Sequence, residues 1–241
     1  MANSSSPLRL GILGSGKGSN FRVLVEAARS RPCSYDPVIV LSDVADAGIL
    51  KIADQFQIPS RFVAPGLFKT KMTEAIEQEM VVHLQAAKVD FIALAGFMRV
   101  IKEPLLKAFP GRILNIHPSL LPQFPGLAAW RQAHEAKVKE TGCTVHLVDE
   151  GIDTGEILGQ ARVPVFAEDT PETLHARIQE AEHELYPRIV NQFSKDLIAA
   201  KERKERKKSQ CLISNSIRNT EGDEELQKVF RRWKIRDGRL G

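Results

Sequence analysis

Short apolar runs alternate with longer stretches of helical periodicity from residue 8 to about residue 193, and glycine or proline punctuates the junctions. Residues 8–13 read as a strand. Residues 21–29 read as a helix, with Phe21, Leu24, Val25 and Ala28 on one face. Residues 37–41 form a second strand, 45–56 a helix, 61–63 a brief strand and 69–87 a long amphipathic helix. Residues 91–95 and 112–116 read as buried strands, and 143–148 and 157–163 as two more. Thr170 then stands as N-cap before Pro171, and Leu174, Ile178, Ala181 and Leu185 mark a further helix. Strands separated by helices of this length give βαβ units, whose right-handed crossovers place helices on both faces. The expected fold is α/β, an open, mostly parallel, doubly wound, Rossmann-like sheet.

The chain has 241 residues, 43% hydrophobic and 27% charged, which excludes a collagenous, mucin-like or wholly disordered protein. No apolar run approaches the ~20 residues of a membrane span. The start, Met1-Ala-Asn-Ser-Ser-Ser-Pro7, lacks the basic and apolar regions of a secretory signal. Cys33, Cys143 and Cys211 are odd in number and widely spaced, neither a disulfide framework nor a metal knuckle, so a reducing, cytoplasmic location is expected. The net charge of +4 is uneven: residues 200–241 carry 13 Lys/Arg against 7 Asp/Glu, which leaves residues 1–199 slightly acidic. Neither a nucleic acid nor a membrane is therefore an expected partner of the body. Two parts follow: a catalytic domain over 1–199, and a basic tail over 200–241 that reads as solvated and partly disordered. Within the tail, Glu202 and Arg206 could extend the preceding helix, and residues 226–233 could form a short amphipathic one.

Three stretches carry chemistry. Gly14-Ser-Gly-Lys-Gly-Ser-Asn20 lies between the first strand and the first helix. Glycines there let backbone approach an anion, and a helix N-terminus supplies free N–H groups. The stretch is neither GxGxxG nor a Walker loop, and a plain turn is the alternative. In Leu114-Asn-Ile-His-Pro-Ser-Leu-Leu-Pro122, Asn115 and His117 are two apart on a strand and point to one face. An amide beside an imidazole at a strand's carboxyl end suits an oxyanion and proton transfer, although a strand-end histidine can also be unrelated to chemistry. His117, His134 and His146 show no metal-ligand spacing, and Ser119 lacks a nucleophile elbow. In Val148-Asp-Glu-Gly-Ile-Asp-Thr-Gly155, a hairpin accounts for the glycines but leaves Asp153 free to approach the histidine.

Gly18-Ser-Asn20, Leu94-Ala-Gly-Phe-Met-Arg99, Asn115-Ile-His-Pro-Ser-Leu-Leu-Pro122, Asp153-Thr-Gly155 and the pair Glu182-His183 occur in this order. Together they resemble the phosphoribosylglycinamide formyltransferase family of folate-dependent enzymes, over residues 8 to about 193. The resemblance implies that Asn115, His117 and Asp153 are catalytic. It implies that Gly18, Ser19 and Asn20 hold a substrate phosphate, and that Gln179 and Glu182 face the ribosyl part. Met98, Arg99, Val100 and Ile101, with Asn115, would wall the folate site, and His146 would be structural. The sequence departs from the family at Lys17 and at Ala128-Ala-Trp130.

The activity so implied is transfer of the formyl group of 10-formyltetrahydrofolate to the amine of glycinamide ribonucleotide, a step of purine biosynthesis and one-carbon metabolism. Asn115 and a protonated His117 would stabilise a tetrahedral oxyanion, while Asp153 assists a proton relay. Neither a metal nor a covalent enzyme intermediate is required. The partners expected are the two small molecules, with a monomer or homodimer as the assembly. A formyltetrahydrofolate deformylase would need no phosphate loop, a methionyl-tRNA formyltransferase would need a further domain, and a binding module would leave Asn115, His117 and Asp153 unexplained.

Overall fold

Seven strands form one sheet in the order β3-β2-β1-β4-β5-β6-β7. They are β1 (Leu8–Leu13), β2 (Tyr35–Ser42), β3 (Ser60–Phe62), β4 (Phe91–Leu94), β5 (Ile113–His117), β6 (Glu140–Leu147) and β7 (Ile157–Pro164). The helices are α1 (Ser19–Arg29), α2 (Gly48–Gln55), α3 (Glu74–Ala86), α4 (Glu103–Ala108), α5 (Ala129–Glu135) and α6 (Pro171–Asn219). The computed structural model describes residues 6–30, 32–68 and 70–219. It divides into two units, Met1–Lys195 and Asp196–Gly241. In the second unit residues 201–209 are exposed, and Glu202 and Arg206 approach within 4.0 Å, so the charge run is helical rather than irregular. The helix expected over 226–233 lies outside the described residues.

β1 to β5 pair in parallel, which buries both faces of the central strands. Phe91, Ile92, Ala93 and Leu94 of β4 are accordingly all buried. Leu13, Leu41, Met80, Leu84, Ile92, Leu94, Leu105 and Ile113 belong to one continuous apolar cluster. β6 runs antiparallel to β5, and β7 antiparallel to β6.

Strand order reverses between β1 and β4, which opens a crevice at their carboxyl ends. The glycine loop follows β1 into that crevice, and its Ser15 N–H donates to the Gly96 carbonyl at 3.0 Å. A Cβ on Gly14 would stand 2.8 Å from the Ala95 carbonyl oxygen, so only glycine allows this approach. Tyr186 of α6 donates its hydroxyl to the Leu94 carbonyl at 2.9 Å, fixing that helix against the same strand end.

Several boundaries differ from expectation. α3 begins at Glu74, not 69, because Thr73 caps it by accepting from the Ile76 N–H at 3.4 Å. α2 begins at Gly48, not 45, after a turn in which Ser42 Oγ accepts from the Val44 N–H. The expected cap at Thr170 is present: its Oγ1 accepts from the Thr173 N–H at 3.2 Å. α4 and α5, of six and seven residues, escaped the sequence reading because they are too short to show a period.

Candidate active site

The carboxyl ends of β4 and β5, the turn before α5 and the β6–β7 loop enclose a cavity of about 750 Å³. Met98, Arg99, Val100 and Ile101 form one wall, and Asn115, His117, His146 and Asp153 line the same space. Ser15 Oγ accepts the Met98 N–H at 2.9 Å, so the glycine loop braces this wall. The Arg99 guanidinium is held by its neighbours: Nε lies 2.6 Å from Asp43 Oδ2, and Nη1 donates to the Phe68 carbonyl. Behind the wall, the buried Glu77 carboxylate accepts the Lys102 N–H at the start of α4, and burial pushes its pKa up.

Residues distant in sequence converge on His117. Its Nδ1 is 3.3 Å from Asp153 Oδ2, and its Nε2 is 2.9 Å from the Phe124 carbonyl oxygen. The other Asp153 oxygen is 3.5 Å from His146 Nε2. Asn115 Nδ2 lies 3.1 Å from that same His146 nitrogen, while His146 Nδ1 faces the Leu147 carbonyl at 2.8 Å. A carbonyl only accepts, so Nδ1 of His146 carries a proton, while Nε2 stands between the Asn115 amide and the Asp153 carboxylate. Asp153 sits at φ 55°, a left-handed conformation that Asp tolerates better than most side chains. The Gly126 N–H reaches it at 2.8 Å.

Burial and neighbouring charges compete over His117 and Asp153. Burial lowers the His117 pKa below 6.5, and His146 lowers it further; the Phe124 carbonyl and Asp153 only partly oppose this. Asp153 stays below the usual carboxylate value: burial raises its pKa, but His146, the Gly126 N–H and His117 together outweigh it.

The other expected binding residues stand outside this cavity lining. Gly18 is the N-cap of α1 in a left-handed conformation at φ 81°, with no side-chain cap and no acidic residue in the first turn. The first N–H groups of α1 are thus left for a ligand, and no carboxylate of the helix repels an anion there. Ser19 is half-buried and begins the helix. Asn20 is only 8% exposed, and its Nδ2 donates to Glu182 Oε2 of α6 at 2.8 Å. Asn20 therefore joins the loop to α6, and its Oδ1 has no partner. Burial raises the Glu182 pKa from 4.5 to about 7, with Asn20 opposing. Gln179 is half-buried one turn before Glu182.

Among residues that the sequence reading missed, Phe124 and Gly126 supply main-chain atoms to His117 and Asp153; the Pro125-Gly126 turn was their only local signal. Trp130 of α5 lines the cavity and stacks on His175 of α6, with centroids 3.8 Å apart and planes 4° from parallel. Among the described residues no cluster of side chains has the makings of a metal site, and no helix is long and apolar enough to cross a membrane.

The formyl transferase family profile matches residues 8–190. A phosphoribosylglycinamide formyltransferase of Bacillus subtilis is 41% identical over 185 residues, 77% of this chain and 94% of that one. A trifunctional purine biosynthetic protein adenosine-3 of Drosophila melanogaster is 45% identical over 184 residues, 76% of this chain but only 14% of that protein's length. The crystal structure of glycinamide ribonucleotide transformylase 1 from Symbiobacterium toebii superposes with a TM-score of 0.75 at 43% identity, covering 79% of this chain and 89% of that one.

Proposed function

Because the chain belongs to the formyl transferase family, we propose that it transfers the formyl group of 10-formyltetrahydrofolate to the amine of glycinamide ribonucleotide, giving the N-formyl product. The observation that carries this reading is the convergence of Asn115, His117 and Asp153 on the wall of one cavity. Similarity to enzymes named for this reaction, over three quarters of the chain, supports it. The cavity suits the folate: about 750 Å³ lies within the range of small-molecule sites, and Phe97, Met98, Val100, Ile101 and Leu127 offer a flat ring system an apolar wall.

The mechanism follows from charge placement. As the substrate amine adds to the formyl carbon, negative charge develops on the formyl oxygen. The Asn115 amide and the His117 imidazole are the donors nearest that charge. His117 Nε2 rests against the Phe124 carbonyl, so the substrate oxygen must displace that acceptor or share the N–H with it. A protonated His117 stabilises that oxyanion further and keeps its proton through the step. Asp153, ionised and beside the ring, favours that charge and accepts the proton released by the amine through water. The bond from the formyl carbon to N10 then breaks, and the proton passes to the departing nitrogen. At the far end, the first turn of α1 receives the phosphate, and Glu182 with Gln179 receives the ribose hydroxyls.

We assign this chemistry to residues 1–199, with 200–241 as an appended tail, and place the enzyme in the reducing cytosol that the scattered cysteines imply. The test is 10-formyltetrahydrofolate turnover with and without glycinamide ribonucleotide. Turnover only with the ribonucleotide is the expected result. Equal turnover without it would identify a hydrolase and overturn the reading.

A further inference from the structure

We infer that the stacked pair Trp130–His175 is a clasp that positions Asp153, acting through the turn that carries Gly126. Neither ring touches Asp153; both act as positioning residues.

The turn at 124–128 is not a self-sufficient structure. Phe124 and Ala128 adopt positive φ of 53° and 54°, on either side of Gly126 at 81°. Non-glycine residues hold such conformations only where surrounding contacts over-determine them. This turn presents two main-chain atoms to the site: the Phe124 carbonyl against His117 Nε2, and the Gly126 N–H on Asp153 Oδ2. Whatever holds the turn therefore sets the place of the carboxylate beside the imidazole.

The turn is joined rigidly to α5. Ala128 is the N-cap of that helix, and Gln132 Nε2 donates back to the Leu127 carbonyl at 2.9 Å. α5 is in turn tied to the approach and first turns of α6. His134 Nε2 lies 2.7 Å from the Asp169 carbonyl, and Arg131 reaches Glu172 at 3.9 Å between exposed side chains. The Trp130–His175 stack is the contact of this set nearest the turn, two residues beyond Ala128. An exposed ion pair holds little, so the stack and the His134 contact carry the attachment.

The surroundings keep His175 suited to stacking. Lys17 of the glycine loop faces it, Glu172 lies on its own helix, and burial and Lys17 hold its pKa below 6.5. The ring is neutral near pH 7 and packs flat on the indole. The groups facing Asp153 are His117 from β5, His146 from β6 and the Gly126 N–H from the turn. Asp149, within its own loop, is engaged by the Gly151 N–H and the Thr154 hydroxyl. Loosening the turn removes the one neutral donor that fixes Asp153, so the carboxylate drifts from His117 and raises its pKa less.

His175 is the residue to change, because Trp130 lines the cavity and His175 does not. The variants are His175→Ala and His175→Leu, which abolish the stack, and His175→Phe, which keeps it. Titration of the His117 and His146 imidazoles is followed by NMR in the full-length, ligand-free chain. In both stack-breaking variants the His117 midpoint is expected to fall by about half a pH unit or more, and His175→Phe is expected to restore it. An unchanged His117 midpoint in a folded His175→Ala or His175→Leu protein would overturn the clasp. The kinetic arm rests on the formyl-transfer reading: kcat should fall about three- to tenfold with the folate KM nearly unchanged. A parent enzyme without ribonucleotide-dependent turnover would refute that reading and leave the NMR result to judge the clasp.

Discussion

Glu182→Gln isolates the energetic consequence of a deeply buried carboxyl whose pKa burial raises. Glu182 is 5% exposed, its pKa stands at about 7 instead of 4.5, and its one hydrogen bond comes from Asn20. Between those two values the folded chain holds a proton that the unfolded chain has released. Stability therefore falls as pH rises through this window, and the contribution is undiminished only below about pH 4.5. A shift of this size is worth at most about 3 kcal/mol, of which about 2.5 kcal/mol develops between roughly pH 5 and pH 8. Glutamine keeps the shape and an oxygen for the Asn20 amide but does not titrate. The measurement is urea unfolding of parent and variant at both pH values. The variant should be nearly equal to the parent at the acid end and gain about 2 kcal/mol over it at the alkaline end. A stability difference that does not change between the two pH values would refute the claim that burial, rather than Asn20, governs this carboxyl. If Glu182 also binds the ribose, the same variant should raise the ribonucleotide KM and leave the folate KM alone.

Replacing His117 by Ala should lower kcat by about a hundredfold or more, with folate binding little changed, as measured by steady-state kinetics and folate titration; near-native turnover would remove His117 from the mechanism. Asn20→Asp would put a carboxyl against Glu182 and a negative charge at the mouth of the α1 N-terminus. The ribonucleotide KM should rise several-fold while the folate KM stays close to the parent's, and equal changes in both would make the loop merely structural. Truncation after Ala200 should leave the melting temperature and turnover essentially intact, and a tenfold loss or an insoluble product would make the tail part of the enzyme.

The sequence by itself determined the parts that local chemistry controls. Alternating periodicity gave the seven strands and four of the six helices in order, with β1 at its observed bounds and Thr170 as a cap. The two-residue spacing of Asn115 and His117 sent both side chains to one cavity. The glycine stretch located the start of α1, although not the fact that Asn20 lies buried against a carboxyl 162 residues away.

Tertiary structure decided what depends on neighbours remote in sequence. The hairpin over residues 148–155 was legible, but nothing local told that β6 runs antiparallel to β5, and that reversal brings His146 opposite Asn115. Arg99 stands in the cavity wall as its sequence context suggests, but only the fold shows that Asp43, 56 residues earlier, pairs with its guanidinium. At His117 an adjacent Asp argues for a charged ring. Burial opposes that charge, and burial exists only once β5, β6 and the turn before α5 have closed around the site. Periodicity and capping act over a few residues and are written in the chain; desolvation and convergence belong to the assembled fold.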